Sequence, residues 1–250
     1  MSDQEVQIWS YVFWGIKIVY ATLDKIIHDE LKAKLKVPRP RSQKQKPKAI
    51  EEFIEQRPEG LRILKEESEK QSGKKLKICD WCQDETRIGL RTITRKKLTL
   101  RGVKPIGEVQ WQFKYYYVYG LVEPKTGRSF FDEFSHFNTD CFPSYLEEFS
   151  LMYPDEKHII QLDNAPCHTA RKLKIPENIV LFFQPSYCPQ VNPIERFWQY
   201  LKQRLSWHLF NSLDELKNQV TTILNSLKEE IIQSLTGWDE ILQALSLSEL

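Results

Sequence analysis

The sequence predicts a mixed α/β protein, a core of strands and helices with helical appendages. Beyond Lys75 the chain offers three strand-like runs joined by turns and then alternates helix with strand, as a sheet flanked by helices requires. Near both ends, by contrast, apolar residues recur every three or four positions, the period of a helix with one buried face. With 250 residues, 41% of them hydrophobic, the chain can bury a core as one large domain or two small ones.

Each element has its own local signature. Leu23, Ile26, Ile27, Leu31 and Leu35 make one apolar stripe on a helix from about Thr22. Val37-Pro38-Arg39-Pro40 ends it, because proline lacks an N–H and disfavours helix in the residue before it. The following "KVPRPRSQKQKPKA" reads as an extended basic linker. A helical segment over 49–70 is expected to break at Pro58 and Gly60. "LKICDWC", 113–123 and 128–134 are strand-like, and "PKTG" suits a hairpin between the last two. A helix over 139–152 precedes two buried strands, "KHIIQLD" and 178–184. Residues 192–205 are helical, with Pro193 near the start, where a missing donor costs little. Ser212 and Glu215 form a capping box for a last helical region over 213–235. Its buried face carries Leu213, Leu216, Val220, Ile223, Leu224 and Leu227.

Charge and cysteine usage narrow the function. Net charge is only +2, so affinity for a polyanion must come from local clusters. Two such clusters exist. Lys32, Lys34, Lys36, Arg39, Arg41, Lys44, Lys46 and Lys48 stand in a stretch free of acids, as do Arg87, Arg91, Arg95, Lys96, Lys97, Arg101 and Lys104. Each could also be a solvated face. Five cysteines without regular spacing argue against a secreted disulfide scaffold. The apolar run at 8–23 is short, follows Asp3 and Glu5 and contains Lys17, which argues against a membrane span. A cytoplasmic protein is expected.

Three acids share one expected context. Asp84 is expected to close the first strand, Asp163 closes a later one in "IIQLDNA", and Glu195 lies in the first turn of a helix. Carboxylates delivered to one rim of a sheet form an oxygen-only cluster suited to Mg²⁺ or Mn²⁺. Two such ions can activate an attacking oxygen and stabilise a leaving one in phosphoryl transfer. Singly, each acid could be an exposed residue, and Glu195 would suit a helix start through the macrodipole alone. Asp80 shares a strand face with Asp84, and Glu85 points the other way as a structural neighbour. The cysteines offer a rival reading, with Cys79, Cys82, Cys141, Cys167, His168 and Cys188 as zinc ligands. C-x-x-C on a strand splits its thiols between two faces, and the second half of a zinc motif is missing.

Five blocks in order carry a family resemblance: "QDETRIGL" (83–90), "LRGVKP" (100–105), "YYYVYGLVEPKTGRSFF" (115–131), "QLDNAPCHTA" (161–170) and "QPSYCPQVNPIERFWQYLK" (184–202). The chain resembles the DDE transposases of the mariner superfamily, specifically the bacterial insertion-sequence branch known as IS six-thirty. The resemblance implies a ribonuclease-H-like core with Asp84, rather than Asp80, and with Asp163 and Glu195 as catalytic, metal-holding acids. It implies two Mg²⁺ or Mn²⁺ ions, cleavage at transposon ends, strand transfer into target DNA and a homodimer in the cytoplasm, at the nucleoid. Only 31 residues separate Asp163 from Glu195, slightly fewer than is usual in the superfamily.

Asn164 and His168 follow Asp163 in the family motif and are expected to orient its carboxylate or meet a phosphate. Lys32, Lys34, Lys36, Arg39, Arg41, Arg95, Lys96, Lys97, Arg196 and Lys202 are the expected DNA contacts, and Trp198 could be core or face DNA. The expected organisation is a partial helix-turn-helix DNA-binding remnant at 1–37, a basic linker and helical connector at 38–74, the catalytic core at 75–210 and a helical extension at 211–250. Relatives carry a fuller N-terminal DNA-binding region, so the chain reads as N-terminally short. The alternative to an active transposase is therefore a truncated, non-cutting DNA-binding or regulatory relic.

Overall fold

Strand β1, Lys77–Gly89, is the longest in the sheet, and every other strand is placed by its pairing. The computed structural model describes residues 3–34, 41–72, 77–136, 141–170 and 173–248. On one side of β1 lies antiparallel β2, Tyr115–Val122, and then antiparallel β3, Ser129–Phe134. On the other lies parallel β4, Glu156–Leu162, and then parallel β5, Ile179–Phe183. The order is β3-β2-β1-β4-β5, the mixed sheet expected. The β2–β3 hairpin needs Gly127, whose φ is +83 and whose added Cβ would stand 1.9 Å from the Glu229 carbonyl oxygen.

Strand alternation divides the core between two faces. Trp81, Tyr119, Leu121 and Ile160 pack under helix α4, Cys141–Met152, through Phe142, Tyr145, Leu146 and Phe149. Cys82, Ile88, Val118 and Val122 pack under α5, Ile194–Arg204, and α6, Leu213–Ser226. The pair Cys79 and Cys82 is split between the two faces, as a strand requires. Parallel β4 is covered on both sides, which explains its unbroken burial from Lys157 to Leu162.

The chain divides into two compact units, Met1–Gln43 and Lys44–Leu250. In the first, α1 spans Asp3–Trp14 and α2 spans Tyr20–Asp24, continuing as a π-helical stretch over Lys25–Glu30. The regular helix expected from Thr22 thus starts earlier and widens after Asp24. Leu23 is buried, whereas Trp14 is 67% exposed and its ring meets that of Trp9. The expected helix end at 37–40 lies outside the described residues, as do Lys36, Arg39 and Thr139. Among the described residues, no helix is long and apolar enough to cross a membrane.

Two expectations are corrected in the larger unit. No break occurs at Pro58 or Gly60: α3 runs unbroken over Ala49–Ser72. Phe53, Arg57, Leu61 and Ser68 are buried along one face, and an added Cβ at Gly60 would meet the Phe182 ring at 3.1 Å. Tertiary packing of that face outweighs the local cost of proline. At the other end, the single region 213–235 is two helices, α6 and α7, Glu229–Thr236, followed by an unexpected α8, Asp239–Leu247. Ser212 does cap α6, accepting from the Glu215 N–H at 3.1 Å. The Glu215 carboxylate reaches back to the Asn211 N–H at 2.7 Å rather than to Ser212.

Candidate active site

Asp84 is not at the end of its strand. β1 continues five residues further, to Gly89, because its second half pairs with β2 from Cys82↔Val122 to Gly89↔Tyr115. Parallel β4, however, stops at Leu162. Cys82 pairs with Gln161, so Asp84 and Asp163 each stand two residues beyond the same pair. A residue in the middle of β1 is therefore level with the carboxyl end of β4. That edge is where parallel strands present ligands.

Glu195 comes to this edge on the first turn of α5. Asn192 ties that turn to β1, donating from its amide to the Gln83 carbonyl at 2.8 Å. Trp198 lies on the same helix against the sheet and donates its indole N–H to Asp84 Oδ2 at 3.0 Å. The space it fills is left by Gly120, which pairs with Asp84 and whose added Cβ would stand 2.7 Å from the Trp198 ring. Trp198 is thus both core and a partner of the first acid. Its hydrogen bond has no signature in the sequence.

The three acids feel one another. Burial first, then the charges of Glu85, Glu195 and Asp163, holds the Asp84 carboxyl well above the usual carboxylate range. Burial also raises Glu195, with Lys202 pulling down and Asp163 adding to the rise. Burial works the same way on Asp163, but hydrogen bonds from His168 and the Ala165 N–H outweigh it and hold its carboxyl low. Burial lowers Lys202, aided by Arg95 and Arg87 and opposed by Glu195 and Asp84. Asp80 is elsewhere, in an ion pair of 2.9 Å with Lys65 of α3.

His168 is nearly sealed and joins two carboxylates. Its Nδ1 is 2.9 Å from Asp163 Oδ1 and its Nε2 is 3.0 Å from Glu85 Oε1. Burial disfavours protonation of the ring, yet hydrogen bonds with Asp163, Cys167 and Glu85 push it up to about 12. Carboxylate oxygens at both ring nitrogens favour the form that donates from each. Asn164 turns away from the acids and donates to the Gln184 carbonyl, joining the loops after β4 and β5. Gln161 braces the same corner, donating to Gln184 Oε1 at 3.0 Å and to the Val191 carbonyl at 2.9 Å.

Within the larger unit the expected DNA contacts have different surroundings. Lys202 is near the acids, with Arg87 and Arg95 in its electrostatic reach. Arg95, Lys96 and Lys97 lie in the irregular segment between β1 and β2, where Lys97 sits 4.5 Å above the Trp207 ring. Arg196 is stacked on Trp238 at 3.9 Å. Lys32, Lys34 and Arg41 are exposed.

Among the described residues, one trio of Cys, His, Asp or Glu has ligand atoms all within 4.8 Å of one another: Cys79, Glu156 and His158. Its atoms are already engaged. His158 Nδ1 takes the Trp81 indole N–H at 3.1 Å, and its Nε2 faces the Tyr153 carbonyl at 3.1 Å. Glu156 pairs with Arg128 at 2.9 Å and Lys77 at 2.7 Å, and burial with the Glu156 bond pushes the Cys79 thiol up to about 12. A metal would have to displace all of these, so the trio is structural. Asp84, Asp163 and Glu195 do not all lie within that distance of one another, and their donors are all oxygen.

Known proteins resemble this chain in sequence and in fold. Residues 80–217 match the family described as DDE superfamily endonuclease. The uncharacterized protein y4pE/y4sA of Sinorhizobium fredii (strain NBRC 101917 / NGR234) is 30% identical over 116 residues, which are 46% of this chain and 86% of that protein. The Transposable element Tc1 transposase of Caenorhabditis elegans is 26% identical over 111 residues, 43% of this chain and 40% of its own length. The crystal structure of the Mos1 mariner paired end complex with Mn shares the fold, with a TM-score of 0.66 and 15% identity over 100% of this chain and 78% of that one. The mixed five-stranded sheet is accordingly of the ribonuclease-H-like kind.

Proposed function

Because this chain belongs to the DDE superfamily endonuclease family, we propose that it is a transposase that cuts DNA at the ends of an insertion sequence and joins the freed 3′-hydroxyl to target DNA. Asp84, Asp163 and Glu195 are its catalytic acids in this reading. The observation that carries it is the register that sets Asp84 level with Asp163 at the carboxyl end of β4, beside the helix whose first turn holds Glu195. Acids drawn from β1, the end of β4 and α5 concentrate negative charge that a divalent cation would relieve. Oxygen-only donors fit Mg²⁺ or Mn²⁺, and a pair of such ions is the reading carried here. When bound, such ions supply an activated attacking oxygen and a stabilised leaving oxygen.

The chain's own residues hold and orient. Trp198 fixes the Asp84 carboxylate by its indole N–H, and His168 with the Ala165 N–H fixes Asp163. Asn192 sets the start of the helix that delivers Glu195. Lys202, Arg87 and Arg95 give the rim positive charge for the DNA phosphates. Membership of the IS six-thirty branch, a homodimer and a place at the bacterial nucleoid complete the reading, supported by the ordered blocks in the sequence.

Strand-transfer assays with the element's own terminal repeats test the proposal. Mg²⁺- or Mn²⁺-dependent cleavage and joining are expected from the native chain, and neither from Asp163→Ala, which keeps its DNA binding. A native chain that binds the ends without cutting them would make it the non-cutting relic. Preserved cleavage by Asp163→Ala would remove that acid from the site.

A further inference from the structure

We propose that Glu85 is a positioning residue for the Asp163 carboxylate, acting through His168; the inference rests on the reading of Asp163 as a metal ligand. Strand alternation turns Glu85 to the face opposite Asp84, where its side chain is only 8% exposed. A buried carboxylate in that place costs more than an apolar side chain would, unless its partners return the loss. Its partners are specific. Glu85 Oε1 accepts from the Gln83 amide at 2.8 Å and lies 3.0 Å from His168 Nε2.

The imidazole is in turn fixed on three sides. Its side chain is 1% exposed, its Nδ1 is 2.9 Å from Asp163 Oδ1, and Phe142 packs on it with ring centroids 4.3 Å apart. Phe142 limits tilting of the imidazole, and Glu85 sets its rotation within its own plane. Asp163 is 47% exposed at the side chain, so one oxygen is held while the carboxylate stays open to a ligand. Carboxylate, imidazole and ligand carboxylate thus form one chain. Outer partners of this kind govern metal affinity by orienting the ligand they touch. Glu85 and the Gln83 that braces it both belong to β1, so the sheet determines where Asp163 points.

Titration of Mn²⁺ alone into the full-length protein, followed calorimetrically, tests the assignment. Glu85→Leu keeps the volume and removes the acceptor, and it is expected to weaken Mn²⁺ binding by about tenfold or more. Glu85→Gln keeps an acceptor for His168 Nε2 and should recover most of that loss. In a His168→Ala background Glu85→Leu should cost nothing further, because the two act in series. Native affinity in Glu85→Leu, or an undiminished loss in the His168→Ala background, overturns the proposal. Should the leucine variant not fold, Glu85→Gln serves: the ¹⁵N resonance of His168 Nε2 should move, and an unmoved resonance overturns the proposal equally. Asp163→Ala separates the two levels. Lost Mn²⁺ binding there with native binding in Glu85→Leu removes only the role of Glu85, whereas native binding in Asp163→Ala removes the reading of the site and this inference with it.

Discussion

Gly120 sits opposite Asp84 because the Trp198 ring occupies the place of a side chain. The ring is fully buried among Ile194, Phe197 and Val118 and has nowhere to retreat. Gly120→Ala is therefore expected to destabilise the fold by roughly 1–3 kcal/mol, as overpacking of a filled core does. Urea unfolding measures it, and a native midpoint would contradict the packing. This detail marks the limit of what the residues alone convey. Glu195 could be placed on a first helical turn from Pro193 and the periodicity after it, and Asp163 from the apolar run before it. The choice of Asp84 over Asp80 comes from the family motif. In the fold Asp80 is in an ion pair with Lys65 of α3, a contact with no local trace in the sequence. The partnership of Glu85 with His168 links residues 83 positions apart and leaves no local trace.

At the scale of elements, strand and helix identities were legible wherever one face is buried, and lengths were not. β1 outlasts its apolar signature because pairing with β2 carries it on to Gly89. α3 outlasts Pro58 because its buried face is packed within the larger unit, Leu61 in a cluster with Ile159, Ile241 and Leu245 and Phe53 in one with Cys188 and Val191. Pro58 still leaves the Ile54 carbonyl without its helical N–H donor. Pro58→Ala should then raise stability by roughly 1–2 kcal/mol, less than the full helix cost of proline because the unfolded chain also gains freedom. A lowered midpoint in thermal unfolding would show that the ring itself is needed for packing.

The start of the sheet carries its own pH dependence. Burial alone would raise Glu156, but bonds to Arg128, Lys77 and Cys79 reverse this and hold its carboxyl at about 2 instead of 4.5. A depressed carboxylate stabilises the fold above its unfolded value and loses that contribution as pH falls from about 4.5 towards about 2. The loss amounts to about 3 kcal/mol over that window. Glu156→Gln should flatten the acid limb of stability between those values, and an unchanged limb would assign it to other groups.

For the whole molecule, the proposed function requires a nearly neutral chain to concentrate its positive charge where it meets DNA. Neutralising Lys44, Lys46 and Lys48 together with Lys32 and Lys34 should weaken DNA binding evenly across sequences. It should also reduce the slope of log K against log salt by about 0.9 for each phosphate that the protein no longer neutralises. An unchanged slope would take this segment out of the interface.

The convergence of three acids at one edge of the sheet is the central claim, and anomalous diffraction from crystals soaked in Mn²⁺ examines it most directly. Manganese peaks bounded by Asp84, Asp163 and Glu195 are predicted. Peaks at Cys79, Glu156 and His158 instead, or none beside the three acids at saturating Mn²⁺, would contradict the account.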